Sequence, residues 1–139
     1  MSRRAARRHI FSLIFQLEFL KNSDKDALFE SYVENHGEKL PDSKFIYEEF
    51  SGVYQNLEKI DEIIGETLKA WTTDRLNKAD LAILRLAVYE MMYNDEIPAS
   101  VAINEAVELS KVYCEDDSPG FINAILGAVH KGLSGAKPC

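Results

Sequence analysis

Four arginines, Arg3, Arg4, Arg7 and Arg8, stand in the first eight residues of a chain that has only six. They run into HIFSLIFQLEF, where Phe11, Phe15 and Phe19 recur at every fourth position. At about 100° per residue on a helix, Arg4, Arg7, Arg8 and the three phenylalanines share one face. Ala6, Ile10, Leu13, Ile14, Leu17 and Leu20 form a core stripe on the other. Guanidinium forks grip phosphate oxygens, and aromatic faces stack on unpaired bases for roughly 1–3 kcal/mol each. Single-stranded RNA offers both targets together. Packing is the competing explanation. Aromatics at helical spacing more often belong to a core, so Phe11 and Phe19 are expected against a neighbouring helix and Phe15 at the rim. The arginines equally suit a solvated helix end.

A second candidate is EDDSPGFIN. Ser118-Pro119 reads as a helix start: a hydroxyl cap, then proline where no amide donor is needed. Glu115, Asp116 and Asp117 precede it, where the helix dipole favours negative charge. Phe121, in the first turn, is either core or presented for stacking.

Nothing in the motifs is catalytic. His9, His36 and His130 are far apart in sequence and share no metal-ligand spacing with the cysteines. There is no GxSxG elbow, phosphate loop or dinucleotide fingerprint. Carboxylate pairs such as Glu48-Glu49 and Asp61-Glu62 read as solvated helix faces. The expectation is a protein that is not an enzyme and has no cofactor or metal.

The elements that must position these residues are helical throughout, with no β-hairpin signal. Seven are expected. The first runs from Ser2 to Lys21. The second, ALFESYVENH, follows a cap at Asp24 and ends at Gly37. The third starts at Asp42 or Ser43 and reaches Tyr54, and the fourth covers Leu57 to Ala70. Asn77 caps the fifth, with Asp80 in its first turn. Its sequence, DLAILRLAVYEMMY, is interrupted only by Arg85 and Glu90 and predicts a central, buried helix. VAINEAVELSKVY makes the sixth, and the seventh runs from Ser118 to about Lys131. The fold class expected is all-α, with residues 1–133 as one domain and 134–139 as a flexible tail. The break around Thr72 to Leu76 is expected to divide two small helical sub-bundles.

At 139 residues the chain is sized for one domain, and at 46% hydrophobic and 28% charged it reads as globular. The formal net charge is −7, yet residues 1–8 hold no acid, leaving 12 basic against 23 acidic residues in the rest. A basic patch on an acidic body marks a contact for something anionic. Cys114 and Cys139 form no CxxC pair, so a reducing cytoplasm is expected. The apolar run after the arginines is broken by Ser12, Gln16 and Glu18 and lacks a cleavage site. No segment reaches the ~20 apolar residues of a membrane span.

Three segments carry a family resemblance: RRAARRHIFSLIFQLEF, RLNKADLAILRLAVYEMMY and IPASVAINEAVELSKVYCEDDSPGFINAIL. Together they make the chain, from Arg3 to about Lys131, resemble the bacterial transcription antitermination factor family NusB. The resemblance implies an all-helical protein of two small bundles. It implies binding of the boxA element of leader RNA, mostly as single strand, together with the small-subunit ribosomal protein NusE. That complex would join an RNA polymerase antitermination assembly used for ribosomal RNA operons. Carried over by position, the RNA-binding residues are Arg3, Arg4, Arg7, Arg8, Phe15, Asp117 and Phe121, and the partner-binding residues are Asp80 and Arg85. Relatives often have tyrosine at Phe15 and a basic residue at Gly120, so a hydroxyl and a phosphate contact are lost here. Some family members self-associate.

Two other readings compete. A helical scaffold or homodimer would bury the Phe11–Phe15 face between subunits. A similar helical module also serves as the RNA-binding part of a ribosomal RNA cytosine methyltransferase. Duplex DNA is disfavoured by the acidic body and by the lack of a basic recognition helix.

Overall fold

The computed structural model describes residues 3–19, 24–36, 40–69 and 76–136, with 134–136 as backbone only. Seven helices follow in order: α1 (Arg3–Phe19), α2 (Lys25–His36), α3 (Ser43–Gln55), α4 (Leu57–Lys69), α5 (Lys78–Tyr93), α6 (Ala99–Tyr113) and α7 (Ser118–Ala136). No strand occurs among the described residues. The expected helix ends at Ser2, Lys21, Gly37 and Ala70, the core position Leu20, the break at 72–75 and Cys139 lie outside them.

The starts of α2 and α5 follow local chemistry. Asp24 Oδ1 accepts from the Asp26 amide at 2.9 Å, and Asn77 Oδ1 accepts from the Asp80 amide at 2.8 Å. Each satisfies an amide that the first helical turn leaves without a backbone partner. Asp42, before α3, instead takes the left-handed conformation (φ 51°, ψ 51°) and makes no side-chain cap. It is the one non-glycine residue with positive φ among those described.

Two expectations about α7 need correction. The Phe121 amide bonds to the Asp117 carbonyl, so Asp117 occupies the cap position and Ser118 is already helical. The helix also continues to Ala136, which removes 134–136 from the expected tail. Leu133, packed against the core, gives the chain a reason to stay helical past Lys131.

Helix α5 is the hub. It packs against α1, α3, α4, α6 and α7, and its Ala82, Ile83, Leu84, Leu86, Ala87 and Val88 are all buried. The α1 stripe meets it with Ala6, Ile10, Leu13 and Ile14 at 0% exposure, as the helical wheel predicts. Helix α4 packs against α5 and α7 as well as α3. The division into sub-bundles therefore falls before α4, separating α1–α3 from α4–α7, not after it. At the α3–α5 contact, a Cβ on Gly52 would lie 2.3 Å from the Tyr89 ring, so only glycine admits that approach.

Candidate nucleic-acid interface

Helix α1 carries its four arginines into four different environments. Arg3 lies with its guanidinium 4.0 Å from the Phe45 ring centroid and its Nε 3.7 Å from Asp42 Oδ2. Arg4 grips Glu105 on α6 with both arms, Nε to Oε1 at 3.1 Å and Nη2 to Oε2 at 2.8 Å, yet stays 49% exposed. Arg8 is exposed and makes no ion pair or side-chain hydrogen bond among the described residues. Arg7 is buried.

The burial of Arg7 corrects its expected place on the surface. Its side chain is 6% exposed, and Nε donates to Glu90 Oε2 at 3.2 Å and Oε1 at 3.3 Å. Arg7 precedes the fully buried Ile14 by nearly two whole turns, so it rides the edge of the core stripe. Glu90 is in turn beside Glu49, which is 2% exposed and accepts from Asn94 Nδ2 at 3.0 Å. Burial, followed by the hydrogen bond and charge of Glu90, holds the Glu49 carboxyl far above the ordinary glutamate range. The expected solvated face at Glu48-Glu49 is thus wrong for Glu49. Glu49 therefore keeps its proton where an ordinary glutamate has lost it, and Arg7 pairs with Glu90.

The aromatic residues form a continuous row. Tyr113, at the end of α6, stacks on Phe11 with centroids 4.6 Å apart and planes at 24°. Phe11 stacks on Phe15 at 5.9 Å and 26°, and Phe15 meets Phe19 edge-on at 5.0 Å. Phe11 is buried and Phe15 half-buried, as expected of a core ring and a rim ring. Phe19 departs from expectation: at 59% exposed it is solvent-facing. Tyr113, 44% exposed, was not singled out by sequence, because its partner lies 102 positions away by sequence number. Asp117 is exposed and Phe121 half-buried against the core. Tyr113 and Asp117 are four positions apart, so their backbones lie within about 14 Å of one another.

The two residues carried over for partner contact are internal. Arg85 is 7% exposed and clamps three elements, donating to Glu18 Oε1 at 2.7 Å and to Asp61 Oδ1 and Oδ2 at 2.8 Å each. Asp80 is 0% exposed. It neighbours the Cys114 thiol, which burial, and then Asp80, push up to about 12. These positions therefore shape the fold and do not offer their side chains to a docking protein.

The histidines too are rearranged. His9 and His36 come together with rings 5.3 Å apart, and His9 Nδ1 is 2.7 Å from the Tyr32 hydroxyl. Burial and the neighbouring His36 lower the His9 pKa. Among the described residues no group of three or more His, Cys, Asp or Glu side chains is placed to hold a metal ion. No described helix is long and apolar enough to cross a membrane.

Fold and site define a class: an all-α domain built around one buried helix, with a cationic and aromatic edge along its first helix. Comparison narrows it. A family model described as NusB matches residues 4–131. The transcription antitermination protein NusB of Acetivibrio thermocellus is 46% identical over 94% of this chain and 90% of its own length. That of Natranaerobius thermophilus is 41% identical over 99% and 100% respectively. The crystallised T. maritima NusB has a TM-score of 0.81 at 33% identity, over 94% of this chain and 92% of that one. A chain in a crystal structure of antitermination factors NusB and NusE with double-stranded RNA has a TM-score of 0.81 at 26% identity, over 94% and 96%. The chain belongs to the NusB family of transcription antitermination proteins.

Proposed function

We propose that this chain is a cytoplasmic antitermination factor that binds boxA-type leader RNA together with the ribosomal protein NusE, within an RNA polymerase antitermination assembly. One observation carries the RNA-binding part: exposed Arg8 stands on the same helix as the Phe11–Phe15–Phe19 row, whose outer ring is open to solvent. Arg8, with Arg3 and Arg4, supplies cations for phosphate, and Phe15 and Phe19 supply faces for bases. Asp117 and Phe121 extend the surface at the start of α7. Arg7 acts from beneath by fixing α1 on α5.

NusE then needs a different surface, because Asp80 and Arg85 are buried. The exposed carboxylates of Glu58, Glu62 and Glu66 repeat every fourth residue along α4 and suit a basic protein. This acidic face and the arginines of α1 explain the opposed charges of the sequence. A homodimer is the second reading, favoured by the exposure of Phe19 (59%) and Val112 (54%).

The test is fluorescence anisotropy of a boxA-like RNA, a scrambled RNA and an RNA duplex, each with and without NusE. Preference for the boxA-like strand that NusE strengthens supports the proposal. Equal or absent binding to all three, with mass rising with concentration, moves the homodimer to the front.

A further inference from the structure

We infer that Tyr113 is a base-stacking residue of this surface and bridges its two halves, the α1 row and the start of α7. The inference rests on the proposed RNA-binding reading. Three observations lead to it. Tyr113 is an aromatic ring left 44% exposed at the end of α6. Its stacking partner, Phe11, is only 6% exposed and so has no face of its own to give. The near-parallel contact, 4.6 Å and 24°, holds the Tyr113 ring in one orientation before any ligand arrives. A ring fixed in advance loses little side-chain entropy on binding. Phe11 is thus a backing plate and Tyr113 the face laid on it.

Position strengthens the argument. The ring order Tyr113, Phe11, Phe15, Phe19 runs from the end of α6 down α1. Beyond Tyr113, the turn 114–117 leads to Asp117 and then Phe121 on α7. A strand following the α1 row toward α7 crosses Tyr113. Val112, the residue before Tyr113, lines a small cleft with Arg4, Arg8, Glu105 and Glu108. Arg4 is paired there with Glu105, which leaves Arg8 as the cation of that cleft exposed toward a phosphate. The competing role is structural: Tyr113 would merely shield Phe11 from water. Leucine could do that, but it has no π-face.

The experiment titrates boxA-like RNA with the full chain and four variants, Tyr113→Phe, Tyr113→Leu, Tyr113→Ala and Tyr113→Trp, with melting curves confirming that each is folded. Tyr113→Phe should bind within about twofold of the unaltered chain. Tyr113→Leu and Tyr113→Ala should lose about 5- to 150-fold, the range of one base stack, with an unchanged salt slope. Tyr113→Trp should show RNA-dependent quenching beyond that of Trp71 in the parent chain. Tyr113→Leu binding as tightly as the parent overturns the inference, and so does Tyr113→Trp emission that RNA leaves unmoved. If Phe15→Ala weakens binding in the same assay while Tyr113→Leu does not, only this inference fails. If the parent chain binds no RNA, the inference and the functional reading fail together.

Discussion

Arg7 of α1 and Glu90 of α5 form an ion pair sealed from water, Nε to Oε2 at 3.2 Å with side chains 6% and 1% exposed. A second pair joins the same helices with the charges exchanged, Glu18 of α1 with Arg85 of α5 at 2.7 Å. The early residue of α1 meets the late residue of α5, and Glu18, late in α1, reaches both Arg85 in the middle of α5 and Lys78 at its start, 2.8 Å away, so the helices run antiparallel and are pinned near both ends. Removing one partner of a buried pair leaves an uncompensated charge. Arg7→Ala should therefore destabilise the fold by about 3 kcal/mol or more. Arg7→Met with Glu90→Leu should recover most of that loss. Arg8→Ala, on the surface, should change stability by less than about 0.5 kcal/mol. Urea unfolding of the four proteins decides it. An Arg7→Ala protein as stable as the parent would end the assignment of Arg7 as a strut.

The Glu49–Glu90 pair sets a pH dependence of definite sign. Around Glu49 stand Glu90 and Tyr89 of α5, Arg7 of α1 and Asn94. The folded state holds the Glu49 proton well above the unfolded value of 4.5, so over that interval it binds more protons than the unfolded chain. Stability from this group is present at low pH and falls as pH rises through the folded titration. Glu49→Gln keeps a neutral partner for Glu90 and should remove the loss that sets in above the unfolded value. Thermal melts of both proteins from pH 5 to pH 10 give the comparison. Parallel curves across that span would show that Glu49 does not hold its proton in the folded protein.

The salt dependence of RNA binding separates the roles of α1 residues. With Arg7 buried, Arg3, Arg4 and Arg8 remain for phosphates. At about 0.7 per contact on single strands, log affinity should fall with log salt with a slope of about −2. Arg8→Ala should flatten it by about 0.7. Phe15→Ala should weaken binding by about 1–3 kcal/mol and leave the slope unchanged. Anisotropy titrations at several salt concentrations measure both quantities. A larger slope change from Phe15→Ala than from Arg8→Ala would reverse the two roles.

What could be read in the sequence was what one helix decides by itself. The cap at Asn77, the buried stripe of α1 and the apolar girth of α5 each follow from spacing within about twenty residues. The fate of Arg7 does not: its partner lies 83 positions on, and a charge beside a core stripe is surface until a counter-charge meets it. Glu49 misled for the same reason, since its neighbours Glu90 and Asn94 come from another part of the chain. Phe19 was expected to be core, yet no neighbouring helix covers it fully. Tyr113 was silent because a single tyrosine at a helix end carries no periodic signal.

Asp80 offers a direct check on the α5–α7 junction. Its carboxylate is wholly buried in the first turn of α5, where the helix dipole favours it, and the Cys114 thiol lies against it. Burial raises that thiol first, and the nearby carboxylate raises it further, to about 12, because a thiolate there would face a like charge. Asp80→Asn keeps the shape and removes the charge. The thiol should then ionise more readily, and alkylation of Cys114 at pH 8 should quicken by roughly threefold or more. The measurement uses a Cys139→Ser background so that one cysteine reports. Because Asp80 offers no exposed atom, Asp80→Asn should also leave NusE affinity within about twofold, whereas Glu62→Lys on α4 should weaken it. Unchanged alkylation would remove Asp80 from the environment of Cys114. Loss of NusE binding by a folded Asp80→Asn protein would return the partner surface to the start of α5.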